Sequence, residues 1–186
     1  MKSKLTLEQR TWLQENDYHS PETAPVEYLK DRNFALEICK GNGRALEYVA
    51  LEFRGDEEIV HEAVKEYGSA IEFSDFPVRK KRDIILSAVS NDGNALEYAH
   101  EVLKNDIDIV LAAVKQDGRA LQYASEGMRA NETIVKAALA QTKAAFQYAC
   151  EKFRFSEEYV NLALLNEEGW GSILDNTSDE ICHNKA

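Results

Sequence analysis

Aspartate, histidine, serine and cysteine side chains recur at one constant spacing in this sequence, at Asp75, His100, Ser125 and Cys150. A carboxylate, an imidazole and a hydroxyl are the groups that hydrolases combine for nucleophilic attack, which makes a small hydrolase using Asp75, His100 and Ser125 one hypothesis. A triad needs contacts of about 2.6–3.2 Å, whereas equivalent atoms of neighbouring helices lie about 8–10 Å apart. We therefore favour a variable surface at these positions and a protein that is not an enzyme.

A run of four basic residues follows Pro77 and could hold an anion or a nucleic acid. The run is Arg79, Lys80, Lys81 and Arg82. The alternative is a solvated connector beside the acidic stretch 56–58. The net charge of −11 argues against general binding to phosphate backbones, because that binding depends on an excess of Lys and Arg. The charge favours instead a protein partner with a basic surface, and makes nucleic acid an improbable one.

Acidic residues are concentrated near the C-terminal end, at Glu157, Glu158, Glu167 and Glu168. These carboxylates could steer a basic partner and raise its association rate. The alternative is a polar cap that keeps the open end of a stack of helices in solution.

No cofactor or metal is predicted. Cys182 and His183 stand beside acidic residues, but adjacent residues rarely bind one ion together, and we interpret 181–186 as a tail. Cys39 occupies a place taken elsewhere by valine and is expected in the core. Only three cysteines, with no signal peptide or membrane span, predict a reducing cytoplasmic location, which is also compatible with delivery to a host or target cell.

The elements that position these side chains repeat with a period of twenty-five. Glycines recur at this interval, at Gly43, Gly68, Gly93 and Gly118. Aromatic residues do the same, at Tyr48, Phe73, Tyr98, Tyr123 and Tyr148. Six units therefore span residues 31–180, the last of them degenerate, and positions 1–25 are counted from the first residue of each unit. Residues 1–30 keep the register poorly and are predicted to form an N-terminal helical cap.

Each unit is predicted to contain two short helices. The first helix follows an N-cap residue at position 1, which is Asp31, Asp56, Asp106, Asn131 or Ser156. Unit 3 has Lys81 at that place, and its first helix is expected to start at Asp83 instead. Apolar residues at positions 4, 5, 8 and 9 form one helical stripe. Glycine at position 13 is expected in the left-handed conformation that ends this helix. The second helix covers positions 15–24, and positions 2, 3, 6, 7, 10–12, 20 and 21 are expected to be free for a specific surface.

Helices of about 10 residues are unstable alone, so neighbouring units must supply the core. The sequence predicts an all-α fold, a right-handed α-solenoid of about six helix-turn-helix repeats with caps at both ends. The five aromatic residues of position 18 are expected to be partly exposed along one edge. They are either a groove for a partner segment or, as we favour, packed between successive helices.

The units resemble the helical repeat family catalogued as domain of unknown function 4116. The resemblance rests on the run from Asp106 to Ala124, DIDIVLAAVKQDGRALQYA, and on similar runs from Asp56 and Asp83. It implies the fold and little about activity, since the family is uncharacterised and carries no known catalytic residues. The favoured function is a non-enzymatic protein-interaction module, such as an inhibitor or immunity protein, or an effector or adaptor.

Overall fold

The structure, a computed structural model, describes residues 5–164, and within this range it contains only helices, turns and loops, without strands. The predicted period is confirmed, because an α-helix at the same place in the unit recurs in every repeat. These A helices are Arg32–Gly41, Glu57–Glu66, Arg82–Asn91, Ile107–Gln116, Glu132–Gln141 and Glu157–Leu164.

The predicted N-caps hold the first turns of the A helices. Asp106 illustrates the arrangement, since one carboxylate oxygen accepts hydrogen bonds from the backbone N–H groups of Asp108 and Ile109, at 3.0 and 3.2 Å. Asp31, Asp56 and Asn131 cap their helices in the same way. The prediction that the third helix begins at Asp83 is wrong, because this helix begins at Arg82, in register with the others, after an N-cap Lys81 that supplies no side-chain bond.

The apolar stripe of each A helix forms the core. In repeat 4, Ile109, Val110, Ala113 and Val114 are fully buried, and consecutive A helices pack against one another along the stack. Full burial of one such aliphatic side chain contributes about 1.5–3 kcal/mol. The positions predicted to be apolar and buried are therefore the ones that hold successive repeats together.

The prediction of a single second helix is wrong. Positions 13–18 instead form a short 3-10 helix, the B helix, at Gly43–Glu47, Gly68–Phe73, Gly93–Tyr98, Gly118–Tyr123 and Lys143–Tyr148. An extended residue such as Ala124 (φ −70°, ψ 154°) then interrupts the helical backbone. One further helical turn, the C turn, closes each repeat, at Leu51–Phe53, Val78–Lys80, Leu103–Asn105, Glu126–Arg129 and Glu151–Arg154.

The glycines that begin the B helices are not left-handed, contrary to expectation, because positive φ is absent from them. They are required for close packing. A Cβ atom on Gly68 would lie under 3.0 Å from both the carbonyl oxygen of Ala88 and the backbone nitrogen of Asp92 in the next repeat. The backbone of each B helix therefore touches the backbone of the following A helix, and a side chain would push the two apart.

Residues 6–30 have the same order of elements as the repeats and keep their register. Thr6 is the N-cap of helix Leu7–Asn16 and forms a capping box with Gln9. This helix has 10 residues, as does Arg32–Gly41, which starts one period later in the sequence. A 3-10 turn, Pro21–Thr23, and a short helix, Val26–Leu29, follow. The segment is thus built as a further repeat, here called repeat 0, whose relation to the others was hidden in sequence by the altered residues 17–25.

No helix within residues 5–164 combines the length and hydrophobicity needed to cross a bilayer. The right-handed sense of the solenoid, the end of repeat 6 at residue 180 and the tail after it stay predictions, and residues 165–186 lie outside the described part of the chain.

Candidate functional site

The position-20 residues that suggested catalysis form a backbone ladder between repeats. The N–H group of Asp75 donates to the carbonyl oxygen of Arg54 at 2.9 Å, and that of His100 to Arg79 at 3.0 Å. Equivalent bonds of 3.0 Å join Ser125 to Lys104, Cys150 to Arg129 and Ala50 to Leu29. Position 20 therefore serves stacking through its backbone, whichever side chain it carries.

The serine and histidine side chains of the proposed triad are engaged elsewhere. The Ser125 hydroxyl donates to Oδ1 of Asn105 at 2.6 Å and accepts from the N–H of Met128, so its only proton is not directed at an imidazole. Nδ1 of His100 accepts from the N–H of Val102 at 3.3 Å, and its ring contacts Phe76. In this geometry the hydroxyl caps the helical turn Glu126–Arg129.

The basic run is held by contacts within the chain. Arg79 donates to the backbone carbonyl oxygens of Glu72 and Ser74. The ammonium of Lys80 lies 4.8 Å from the ring centroid of Phe76. Lys81 pairs with Glu57 of the preceding repeat at 2.7 Å. Arg82 pairs with Asp106 and Asp108. Carboxylates therefore offset the charges of Lys81 and Arg82, whereas the partners of Arg79 and Lys80 are uncharged.

Arg82 belongs to a set of ion pairs at the N-terminal ends of the A helices. Arg32 makes the same contacts two repeats earlier, to Asp56 at 2.7 Å and Glu58 at 2.8 Å. The hydrogen bond from Arg82 lowers the pKa of Asp106 below its ordinary value, more than partial burial raises it. Positions 2 and 3, expected to be free surface, thus take part in stacking.

Position 11 also links the repeats, although it was expected to be free. The side-chain oxygen of Gln116 accepts from the N–H of Gly93 at 2.6 Å, while its nitrogen donates to the carbonyl of Asn91 at 3.1 Å. Asn91 bonds to Gly68 and Lys65 in the preceding repeat in a similar way. The spacing of amide residues at 91, 116 and 141 was the available signal, and sequence reasoning did not use it.

The aromatic residues of position 18 are half-buried and pack against the core with one edge exposed, at Tyr48, Phe73, Tyr98, Tyr123 and Tyr148. Glu72 of the preceding repeat lies close enough to Tyr98, and Glu97 to Tyr123, for each carboxylate to raise the pKa of the phenol. Burial, together with these carboxylates, raises the pKa of Tyr98 to about 12. The ring series therefore has a packing role, and what remains accessible is a narrow edge beside carboxylates.

Only part of the C-terminal acidic group lies in the described chain. Glu157 and Glu158 are exposed in the first turn of helix Glu157–Leu164. Their negative charges interact favourably with the positive N-terminal end of the helix dipole. Glu167 and Glu168, and the residues around Cys182 and His183, lie outside the described residues.

Within residues 5–164, no group of three or more His, Cys, Asp or Glu side chains is arranged so that it could bind a metal ion. Cys39 is fully buried, as expected, and burial raises its pKa to about 12.

A row of exposed apolar side chains lies in or just before the last helical turn of four consecutive repeats. Position 21, which most of them occupy, was expected to be free for a specific surface, but its apolar character in these repeats was not predicted. We define this apolar edge as Val26, Leu51, Phe76 and Val102. Their exposed fractions are 63%, 73%, 59% and 71%, which is high for large apolar side chains. Val26, Leu51 and Phe76 all occupy position 21, a match that becomes visible only once residues 6–30 are assigned as repeat 0, and Val102 occupies position 22.

Each residue of the apolar edge has an exposed acidic neighbour in the sequence, at Glu27, Glu52, Asp75 and Glu101. Glu101 pairs with Lys104 at 2.8 Å. Among the described residues, Glu27, Glu52 and Asp75 form no ion pair, whereas Lys81 and Arg82 of the basic run each do. Lys80, whose ammonium lies 4.8 Å from the ring centroid of Phe76, forms no ion pair in the described part of the chain. Three unpaired carboxylates therefore outnumber this one unpaired ammonium, and the uncompensated charge beside the apolar residues is negative.

A family described as domain of unknown function (DUF4116) matches residues 31–77, 81–129 and 111–154. These matches cover more than half of the chain. The chain belongs to the DUF4116 family. Each match spans about two of the repeats, so the DUF4116 unit corresponds to a pair of stacked hairpins rather than to one. No curated protein and no solved structure matches the chain.

Proposed function

We propose that this DUF4116 protein is a non-enzymatic, protein-binding helical repeat whose partner has a basic surface. The observation that carries the proposal is the distribution of paired and unpaired charge. Lys81 and Arg82 are occupied by carboxylates of neighbouring repeats, while Glu52 and Asp75 are exposed and, among the described residues, have no ion-pair partner. With a net charge of −11, such a surface attracts cationic proteins and raises their association rates.

The architecture supports the same proposal. Repeat proteins use their stacked backbone as a rigid scaffold and present long surfaces that contact extended areas of a partner. Here the scaffold is tied by the backbone bonds of position 20 and by amide side chains such as Gln116. A partner would meet a largely preformed surface, which lowers the entropy cost of binding. An inhibitor, immunity, effector or adaptor role would all use this property.

The test is affinity capture by the full chain from its native cell, followed by identification of the bound protein. We expect a stoichiometric partner with a basic surface that dissociates at high ionic strength. The Glu52→Gln, Asp75→Asn variant should bind it with a slower association rate. A variant with the same change of charge elsewhere, Glu15→Gln with Glu66→Gln, should retain most of that rate.

Two outcomes contradict the proposal. One is a stoichiometric partner with an acidic surface whose binding strengthens as salt rises. The other is turnover of a small substrate by the chain alone, with loss of that turnover in Ser125→Ala.

A further inference from the structure

We infer that the apolar edge, Val26, Leu51, Phe76 and Val102, docks a cationic amphipathic α-helix of the partner, laid along the stack. The inference rests on the proposed function and specifies the surface and the kind of segment it receives. Four large apolar side chains, each more than half exposed, stand at equivalent or adjacent positions in four successive repeats. Exposed apolar groups in such a row are typical of interaction sites rather than of free surface.

The spacing of the row suits a helix. Successive repeats are separated by about 8–10 Å, the usual distance between packed helices. Seven residues of an α-helix advance about 10.5 Å, so apolar residues at heptad spacing would meet one edge residue per repeat. The ring of Phe76 lies 5.4 Å from that of His100 in the next repeat, consistent with close succession of the turns. Four contacts require a helix of about 22 residues.

The backbone of the edge favours a helix over an extended peptide. An extended segment that adds to a protein needs free N–H and C=O groups to bond with. On this edge the N–H groups of Asp75 and His100 already donate to the carbonyls of Arg54 and Arg79. A helix satisfies its own backbone groups and needs only side-chain contacts, which is what the edge offers.

Charge complementarity indicates that the bound helix is positively charged. Glu27, Glu52 and Asp75 flank the apolar residues, are exposed and form no ion pair among the described residues. Lysine or arginine beside the apolar stripe of the incoming helix would meet these carboxylates. Repeats 4 and 5 have Glu126 and Glu151 at position 21, so the apolar row ends at repeat 3 while the acidic character continues.

The experiment uses two synthetic, fluorescent peptides and the full chain at low ionic strength. The heptad peptide has leucine at every seventh residue and lysine with alanine elsewhere, and the serine peptide has each leucine replaced by serine. Anisotropy should show that the chain binds the heptad peptide at least about tenfold more tightly, because only that peptide buries apolar area. The Leu51→Ser, Phe76→Ser variant should abolish this difference.

Phe155→Ser is the matched control, because Phe155 is an exposed phenylalanine outside the row, in repeat 5. It should leave both affinities unchanged. All substituted side chains are exposed, and circular dichroism with urea unfolding will verify that the variants are folded.

The remaining outcomes distinguish a failure of this inference from a failure of the proposed protein-binding function. Equal affinity for the two peptides overturns the docking edge and leaves a charge-driven protein binder. If the chain binds neither peptide, the result contradicts both the docking edge and the proposed binding of a basic partner. A wild-type dimer that Leu51→Ser with Phe76→Ser converts to a monomer overturns the inference by showing that a second copy covers the edge.

Discussion

The side-chain oxygen of Gln116 lies 2.6 Å from the backbone nitrogen of Gly93, in the preceding repeat. Gly93 is buried, and the exposed Gln116 supplies the acceptor for its N–H group. The bond therefore fixes one edge of the B helix to the end of the next A helix. A residue that a sequence survey assigns to the surface is thus a structural link between repeats.

Gln116→Ala should lower the free energy of unfolding by about 1–3 kcal/mol, because it leaves the buried N–H of Gly93 unpaired. Gln116→Glu keeps an acceptor and should cost less. Lys115→Ala, at an exposed neighbour, should stay within about 0.5 kcal/mol of the wild type. Urea unfolding measures all three, and equal stability of Gln116→Ala and Lys115→Ala would contradict the link.

Gly68→Ala should destabilise the protein by about 1–3 kcal/mol, because the new Cβ would press on the backbone of Ala88 and Asp92. Gly127→Ala is the control, since a Cβ there meets nothing nearer than 3.5 Å. That change lies in a helical turn and should be neutral or stabilising by up to about 1 kcal/mol. Similar losses in both variants, measured by urea unfolding, would show that close packing is not the reason for the first glycine.

Stability should decrease in acid through Asp106. Its pKa is lowered in the folded state, chiefly by Arg82, so the contribution is complete above the unfolded value of about 3.9 and is lost as pH falls through the folded pKa. Arg82→Gln should flatten this part of the pH dependence of the urea midpoint. Lys80→Gln removes the same charge without removing an ion pair and should keep it. Parallel acid profiles for Arg82→Gln and the wild type would contradict the prediction.

Tyr98 should titrate late. Its pKa of about 12 means that the folded state favours the neutral phenol, so the related stability is present below about pH 10 and is lost as pH rises toward 12. The difference in phenolate absorbance between the wild type and Tyr98→Phe, recorded after rapid mixing into alkali, isolates this group among the eight tyrosines. Titration near 10 would show that the burial of the phenol and its proximity to Glu72 are not maintained.

Ser125→Ala should cost about 1 kcal/mol of stability through loss of the N-cap to Met128. Ser125→Asp preserves a capping oxygen and should restore most of that loss, whereas it would not restore a nucleophile. Thermal unfolding of the two variants measures the effect. An Asp variant as unstable as the Ala variant would contradict the capping role.

Much of the architecture follows from the sequence because it depends on single-residue chemistry repeated at one interval. The caps Asp31 and Asp106 and the buried stripe of the A helices are of this kind. The B helices were predicted incorrectly, because so short a segment gives apolar periodicity too little length to distinguish 3-10 from α geometry. The role of Gly68 was also predicted incorrectly, since it depends on the backbone of another repeat rather than on its own φ.

The candidate site was predicted less well, for a physical reason. Exposure depends on which side chains neighbouring repeats cover, and sequence alone does not show that Arg82 is paired while Glu52 is not. Position 21 was expected to be free, but the apolar row along it was not recognised, because the register of residues 6–30 is carried by the backbone rather than by residue identity. Val26 and Leu51 are equivalent in the structure, although the segments around them share few residues.

The position-20 hydrogen bonds also have a mechanical consequence. Each joins the C turn of one repeat to the start of the next C turn, so a pull on the two ends of the stack loads them in series, and the weakest one breaks first. A single released repeat can extend to about 80–90 Å of chain, while its neighbours stay folded. The molecule would therefore lengthen under tension in nearly equal steps, each step corresponding to the unfolding of one repeat.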